Sequence, residues 1–200
     1  YSGEEFIAST DMNFRPVNSA TGPDGALYIC DMYRGIIQEG NWVREGSFLR
    51  PVVEKYKLQN NIRRGRIYRV IHKDYRKKKL PKMFDEKTGS LVNYLSHQNG
   101  WLRMTAQKEI ILRQDKSIAS RLEKLVREGK GIGRVHAMWT LEGLGFAEPE
   151  LAVSLLNDSD HRVRQTAIRL LEPSFLSGDS SYLNNVVSLL KDDNPRVVAQ

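Results

Sequence analysis

Two rhythms of apolar and polar positions divide this chain. From about Ser90 onward, apolar residues return at the spacing of a helix with one buried face, as in Ala106, Ile110 and, one position beyond, Ile111, or Val163, Ala167 and Leu170. That period predicts helix pairs at 90–95 with 102–112, 118–127 with 134–144, and 150–156 with 163–171. A further pair, 183–190 with 196 onward, is cut at Gln200. The earlier residues read as short extended segments. In Gly22-Pro-Asp-Gly-Ala-Leu-Tyr-Ile-Cys-Asp31 a Pro-Asp-Gly turn feeds a strand through Ala26 to Cys30. Gly65 to Ile71 reads as a second strand, with Ile67, Arg69 and Ile71 on one face and Arg66, Tyr68 and Val70 on the other; alternation leaves the inward face open. Phe14-Arg-Pro-Val17 is a third strand that Pro16 confines to an edge.

The helical rhythm repeats a larger unit. Leu95-Ser-His-Gln-Asn-Gly-Trp-Leu-Arg-Met-Thr-Ala106, Leu156-Asn-Asp-Ser-Asp-His-Arg-Val-Arg-Gln-Thr-Ala167 and Leu190-Lys-Asp-Asp-Asn-Pro-Arg-Val-Val-Ala199 each end one helix, turn on polar residues and open a second with Arg on or near its first turn. That is the construction of HEAT repeats, stacked pairs whose default work is protein contact or the docking of neighbouring domains. Arg103, Arg164 and Arg196 stand where stacked repeats link neighbouring turns by charge, and Pro149, Pro173 and Pro195 fall at turns or helix starts. Trp101, Trp139, Met104 and Met138 read as packing residues. Two or three strands bury too little to stand alone, so the first part is expected to close a larger all-β domain. The resulting expectation is a mixed fold, all-β then all-α: the C-terminal blade portion of a β-propeller over 1–72, a basic connector over 73–86 and a HEAT-like α-solenoid over 87–200. Residues 38–64 form a long excursion in which Trp42, Phe48 and Tyr56 are candidate anchors, with Trp42 either pinning the loop or lining a site mouth.

Composition narrows the classes. Hydrophobic residues at 40% and charged residues at 28% fit a globular chain, and no apolar run is long enough to span a membrane. The first residues lack the order of a secretory signal; with no initiator Met and an end inside a helical pattern, the stretch reads as part of a longer protein. The net charge of +7 is concentrated between Arg63 and Lys82, where Arg63, Arg64, Arg66, Arg69, Lys73, Arg76, Lys77, Lys78, Lys79 and Lys82 face only Asp74. Phosphate binding is one reading of that run, and neutralising Lys77, Lys78 and Lys79 would test it. A solvated connector is favoured over nucleic acid because no aromatic platform accompanies the charges, and an anionic membrane surface is a third option. Cys30 is the single cysteine, expected to pack in its strand; it excludes an internal disulfide and a Cys-x-x-Cys-His haem site. His72, His97, His136 and His161 share no metal-ligand spacing, so no metal site is assigned.

Phe14-Arg-Pro-Val-Asn18, Gly22 to Gln38 and Gly65 to Val70, in that order, resemble a bacterial membrane-bound dehydrogenase family abundant in Planctomycetes, Verrucomicrobia and Bacteroidetes. Its members carry a propeller similar to the glucose and sorbosone dehydrogenases, then HEAT repeats, then often a cytochrome c domain. The resemblance implies a periplasmic or cell-envelope protein oxidising a sugar or alcohol. It also implies pyrroloquinoline quinone and Ca²⁺ in the propeller, and electrons passed to haem c outside this stretch. On that reading Arg15, Asp31, Tyr33 and Arg34, around the last-blade motif, are candidate cofactor-binding residues, with the arginines pairing quinone carboxylates; a structural role in closing the blade is the competing reading. No catalytic residue is assigned. The alternative is a non-catalytic propeller and HEAT scaffold that binds protein or polysaccharide.

Overall fold

Pro16–Thr21 (β1), Leu27–Asp31 (β2) and Arg66–Val70 (β3) form one antiparallel sheet in the order β1-β2-β3. The structure is a computed structural model and describes residues 3–37, 40–76 and 79–200. Gln38 of the dehydrogenase-like motif and Lys77 and Lys78 of the basic run therefore lie outside the described residues.

The hairpin between β1 and β2 follows from its turn residues. Gly25 takes φ +83°, its N–H donates to the Gly22 carbonyl at 3.0 Å, and Asp24 Oδ1 accepts from Ala26 N at 3.1 Å. A Cβ on Gly22 would sit 2.3 Å from the Tyr28 ring, so that position admits no side chain. The other Asp24 oxygen accepts from Tyr28 Oη and from Arg69 Nε of β3, at 3.1 and 2.8 Å, which ties the turn to the far strand. The register pairs Ile29 with Tyr68, Asp31 with Arg66 and Leu27 with Val70. Ile29 and Asp31 are buried, so the Arg66, Tyr68, Val70 side faces inward while Ile67 is 71% exposed. Cys30 pairs with Ile67 on the outer face and is exposed, against the expectation that it packs.

The expected fold class, a propeller portion followed by a HEAT-like solenoid, is corrected here. About half the chain is helical, and the sheet among the described residues has three strands, with no propeller. The expectation failed because a Pro-Asp-Gly hairpin is a local device: its residues fix one turn and two strands and carry no information on how many more strands follow. The long excursion also folds differently from the loop expected. It contains a helix, Leu49–Tyr56 (α1), and a single 3₁₀ turn at Leu58–Asn60. Trp42, Phe48 and Tyr56 do not anchor it, being 68%, 94% and 51% exposed; Ile36, Val53 and Leu58 do, in a small buried cluster with Val43 against it.

The helical part contains Thr88–Leu91 (α2), Gly100–Arg113 (α3), Ala119–Glu128 (α4), Ile132–Gly143 (α5), Pro149–Ser154 (α6), His161–Leu176 (α7), Leu183–Val187 (α8) and Pro195–Val198 (α9). Helices α3, α7 and α9 start at the same polar turn. Asn99, Asp160 and Asn194 cap them by accepting from the backbone N–H two residues on, at 2.9, 3.0 and 3.0 Å. Two residues earlier, His97 Nδ1, Asp158 Oδ1 and Asp192 Oδ1 accept from each cap's own N–H. Pro149 and Pro195 open their helices, but Pro173 lies inside α7, which continues to Leu176. One continuous core runs through the pairs, with Leu95, Leu102, Ala106, Ile110, Leu122, Ala137, Leu141, Val163, Ala167 and Leu171 at 5% exposure or less. In the last copy Leu189 is buried and Leu190 is 64% exposed, one position away from the alignment of the repeats. Met138 is core, whereas Met104, expected to pack, is 67% exposed. The chain divides into two compact units, 1–79 and 80–200.

Candidate functional site

The four residues singled out in the first unit do come together, and the side chains of Asp31, Arg15 and Arg34 bond backbone groups. Asp31 is 2% exposed; its Oδ1 accepts from Arg15 N at 2.7 Å and from Tyr33 N at 2.8 Å, fixing the chain where it leaves β2. Arg15 Nη2 donates to the Gly35 carbonyl at 3.1 Å, and Arg34 Nε donates to that of Ile36 at 2.8 Å. Tyr33 holds φ +46°, its carbonyl accepts from Asn61 Nδ2 at 2.8 Å, and the Arg66 guanidinium lies 3.3 Å from its ring centroid. A hydrogen bond to the Asp11 carboxylate pushes the Tyr33 phenol above its ordinary pKa. Together these contacts close the sheet's exit turn.

In the helical unit the second helices can be superimposed by their buried stripes: Leu102, Ala106, Ile110 on α3; Gly133, Ala137, Leu141 on α5; Val163, Ala167, Leu171 on α7. The residue after each stripe's first member is Arg103, Arg134 and Arg164. Arg164 grips the next turn: Nε and Nη2 hold the two oxygens of Asp192, each at 2.7 Å, while Nη1 donates to the carbonyl of Asp158 at 2.8 Å. Arg134 holds the Asp158 carboxylate end-on, through Nη1 and Nη2, while its Nε donates to the Val126 carbonyl at 2.7 Å. The Arg164 fork holds the Asp192 carboxyl down at about 2. Burial works against ionisation of Asp158, but the bonds and charge of Arg134 outweigh it and leave its pKa lowered. Arg103 and Arg164 thus occupy matching sites on their helices; Arg196, read with them, falls two residues short of that position, and Arg134 takes the place in the series that the sequence reading had missed.

Arg103 differs from the other two. Nη1 bonds the carbonyls of His97 and Gln98 at 2.7 and 2.8 Å, as Arg164 does in its own turn, but Nε donates to His136 Nε2 at 3.1 Å. The opposite nitrogen of that ring, Nδ1, is 2.7 Å from Gln107 Oε1. With Nε2 accepting, Nδ1 carries the proton, and the imidazole is neutral. Burial first, and then the Arg103 charge, lower the His136 pKa.

Six residues beyond the first stripe member stand Lys108, Trp139 and Arg169, on the side of each helix away from the core. Lys108 and Arg169 are exposed and Trp139 is half-buried; α3 packs on α5 and α5 on α7, and the Arg169 guanidinium lies 5.8 Å from the Trp139 ring centroid. Met104 and Leu112, one turn either side of Lys108, are 67% and 66% exposed, and Trp101 is 36% exposed. Trp101 and Trp139, expected as gap fillers, therefore contribute to an open face. Glu142 and Glu172 stand one turn further on, so the cationic part of the face is confined to its middle. The signal in the sequence was the equal offset of six from each stripe, which only a register of the three helices brings out.

A family described as a domain of unknown function (DUF7133) matches residues 1–74, the part that holds the sheet and α1. No curated protein matches, and no solved structure matches. The dehydrogenase-like, haem-linked character expected from the resemblance receives nothing from these comparisons, and its propeller is absent among the described residues.

Proposed function

We propose that the helical unit is a protein-docking module, which holds an acidic, partly apolar segment of a partner along the face carrying Lys108, Trp139 and Arg169. One contact carries the reading: the Trp139 indole with the Arg169 guanidinium beside it, and exposed Met104, Lys108 and Leu112 on α3, offer apolar area and positive charge together. Aromatic and arginine side chains are the usual energetic centres of such surfaces. The reading as a sugar or alcohol dehydrogenase rests on the resemblance alone. In the first unit, Arg15 and Arg34 direct their guanidinium groups to backbone carbonyls, the arrangement of a turn support.

Adjacent helices lie about 10 Å apart, so three of them span about 20 Å, which about six extended residues at about 3.3 Å each would cover. A fluorescein-labelled peptide of about that length, alternating Glu and Leu, is a fitting probe. Fluorescence polarisation is expected to show binding that Trp139→Ala weakens about tenfold or more. Equal binding of a Lys-Leu peptide, or indifference to Trp139→Ala, would overturn the reading.

A further inference from the structure

Arg103 and Arg164 make the same bonds on one edge of the guanidinium and different bonds on the other. In both, Nη1 is spent on two carbonyls of the preceding turn, those of His97 and Gln98 for Arg103 and of Asp158 and Ser159 for Arg164. On Arg164 the remaining edge, Nε and Nη2, clamps the Asp192 carboxylate. On Arg103 the same edge meets one neutral imidazole nitrogen through Nε, and Nη2 has no hydrogen-bond partner among the described residues. The acidic residue that should supply the rung, Glu128, stands six residues before Arg134 as Asp158 stands before Arg164; its carboxylate instead lies 3.8 Å from Lys124 Nζ on its own helix and is 68% exposed. Gly129 and Gly131 make that turn unlike the Asp-x-Asp or Asp-x-Asn turns of the later pairs. Approach to Nη2 is also unusually open on its own helix. Gly100 is the residue above it, a Cβ there would come to 3.3 Å of Nη2, and the matching position on α7 is His161.

We propose that Arg103, whose Nε is spent on His136 while Nη2 has no partner among the described residues, is a carboxylate-binding position at which Nη2 receives a Glu or Asp side chain of the docked partner segment. The inference rests on the docking reading and deepens it by naming an anchor. The carboxylate meets on Arg103 the Nη2 that on Arg164 meets Asp192, so the partner supplies the acid that this rung lacks among the described residues. The guanidinium charge distinguishes a carboxylate from its amide, because a charge-assisted hydrogen bond is stronger than a neutral one.

The test compares the Glu-Leu peptide with a Gln-Leu peptide of the same length on the full chain. Wild type is expected to prefer the Glu-Leu peptide, and Arg103→Gln to lose about tenfold of that preference. Because Arg103 also braces its own turn, a second variant is needed. His136→Glu places a carboxylate from α5 against Arg103, so it is expected to fill the rung internally: the preference falls as in Arg103→Gln, while the melting temperature stays at or above that of wild type. A preference undiminished in both variants overturns the carboxylate position. The docking face then still stands if Trp139→Ala weakens both peptides alike. If wild type binds neither peptide, the docking reading falls and the anchor with it.

Discussion

At the scale of single residues, polar side chains in this protein act chiefly on backbone. Asp31 is the clearest case: one carboxylate oxygen holds the N–H groups of Arg15 and Tyr33, residues on either side of the sheet's exit. Asp31→Ala would leave both donors without their partner, and urea denaturation is expected to show a loss of about 1–3 kcal/mol. His136 gives a second prediction. Its pKa is lowered in the folded chain, and the groups facing it are Arg103 and Gln107 from α3. The unfolded chain therefore binds this proton more readily, so the contribution of His136 is complete above the ordinary histidine pKa of about 6.5 and is lost as pH falls below it. Thermal melts between about pH 7 and 5 are expected to show a fall that His136→Gln reduces; the same fall in both proteins would refute it. None of these partners was readable from the chain. Arg15, Asp31, Tyr33 and Arg34 could be seen as a cluster of polar residues at a strand end, but the targets of Arg15, Asp31 and Arg34 are backbone carbonyls and amides, which no sequence distinguishes.

Helices and strands were far more legible. The buried stripe on α3 is set by a spacing of four in Leu102, Ala106 and Ile110, and that spacing alone locates the helix. The contacts between elements were not legible in this way. Gly133 shows why: a Cβ there would sit 2.1 Å from Ser96 Oγ and 3.0 Å from Ser96 Cα, so α5 lies almost against the 3₁₀ turn of residues 92–96. Gly133→Ala is expected to cost about 1–3 kcal/mol despite the better helix propensity of alanine, because overpacking outweighs it; a stabilised variant in the same denaturation assay would contradict this. Between repeats, the Arg164 fork makes an acid-sensitive joint. Asp192 titrates at about 2 when folded against 3.8 as its ordinary value, so the unfolded chain takes up the proton first. The joint's contribution is therefore present above about pH 4 and disappears as pH falls toward 2. In Arg164→Gln that portion of the acid transition is expected to vanish from pH titrations followed by circular dichroism.

For the molecule as a whole, positive charge and the docking face make one prediction. If the acidic probe is drawn to Lys108, Arg169 and Arg103, its affinity should fall steadily as ionic strength rises from about 0.05 to about 0.3 M, while that of the Gln-Leu peptide should change little. A salt-independent Glu-Leu affinity would remove charge from the account. The basic run, which suggested phosphate binding, is partly drawn into the first unit: Arg69 pairs with Asp24 and Arg66 covers Tyr33. By itself the sequence determined the periodic helices of the second unit, the Pro-Asp-Gly hairpin turn and the polar caps, though not α1, because hydrophobic period and turn chemistry act over a few neighbouring residues. Only the tertiary structure decided that the sheet has three strands, that Trp139 and Met104 face outward, and that Arg103 lacks the acid that Arg164 finds in Asp192. That partner lies 28 residues away along the chain, and a separation of that length is closed by packing, which local pattern does not encode.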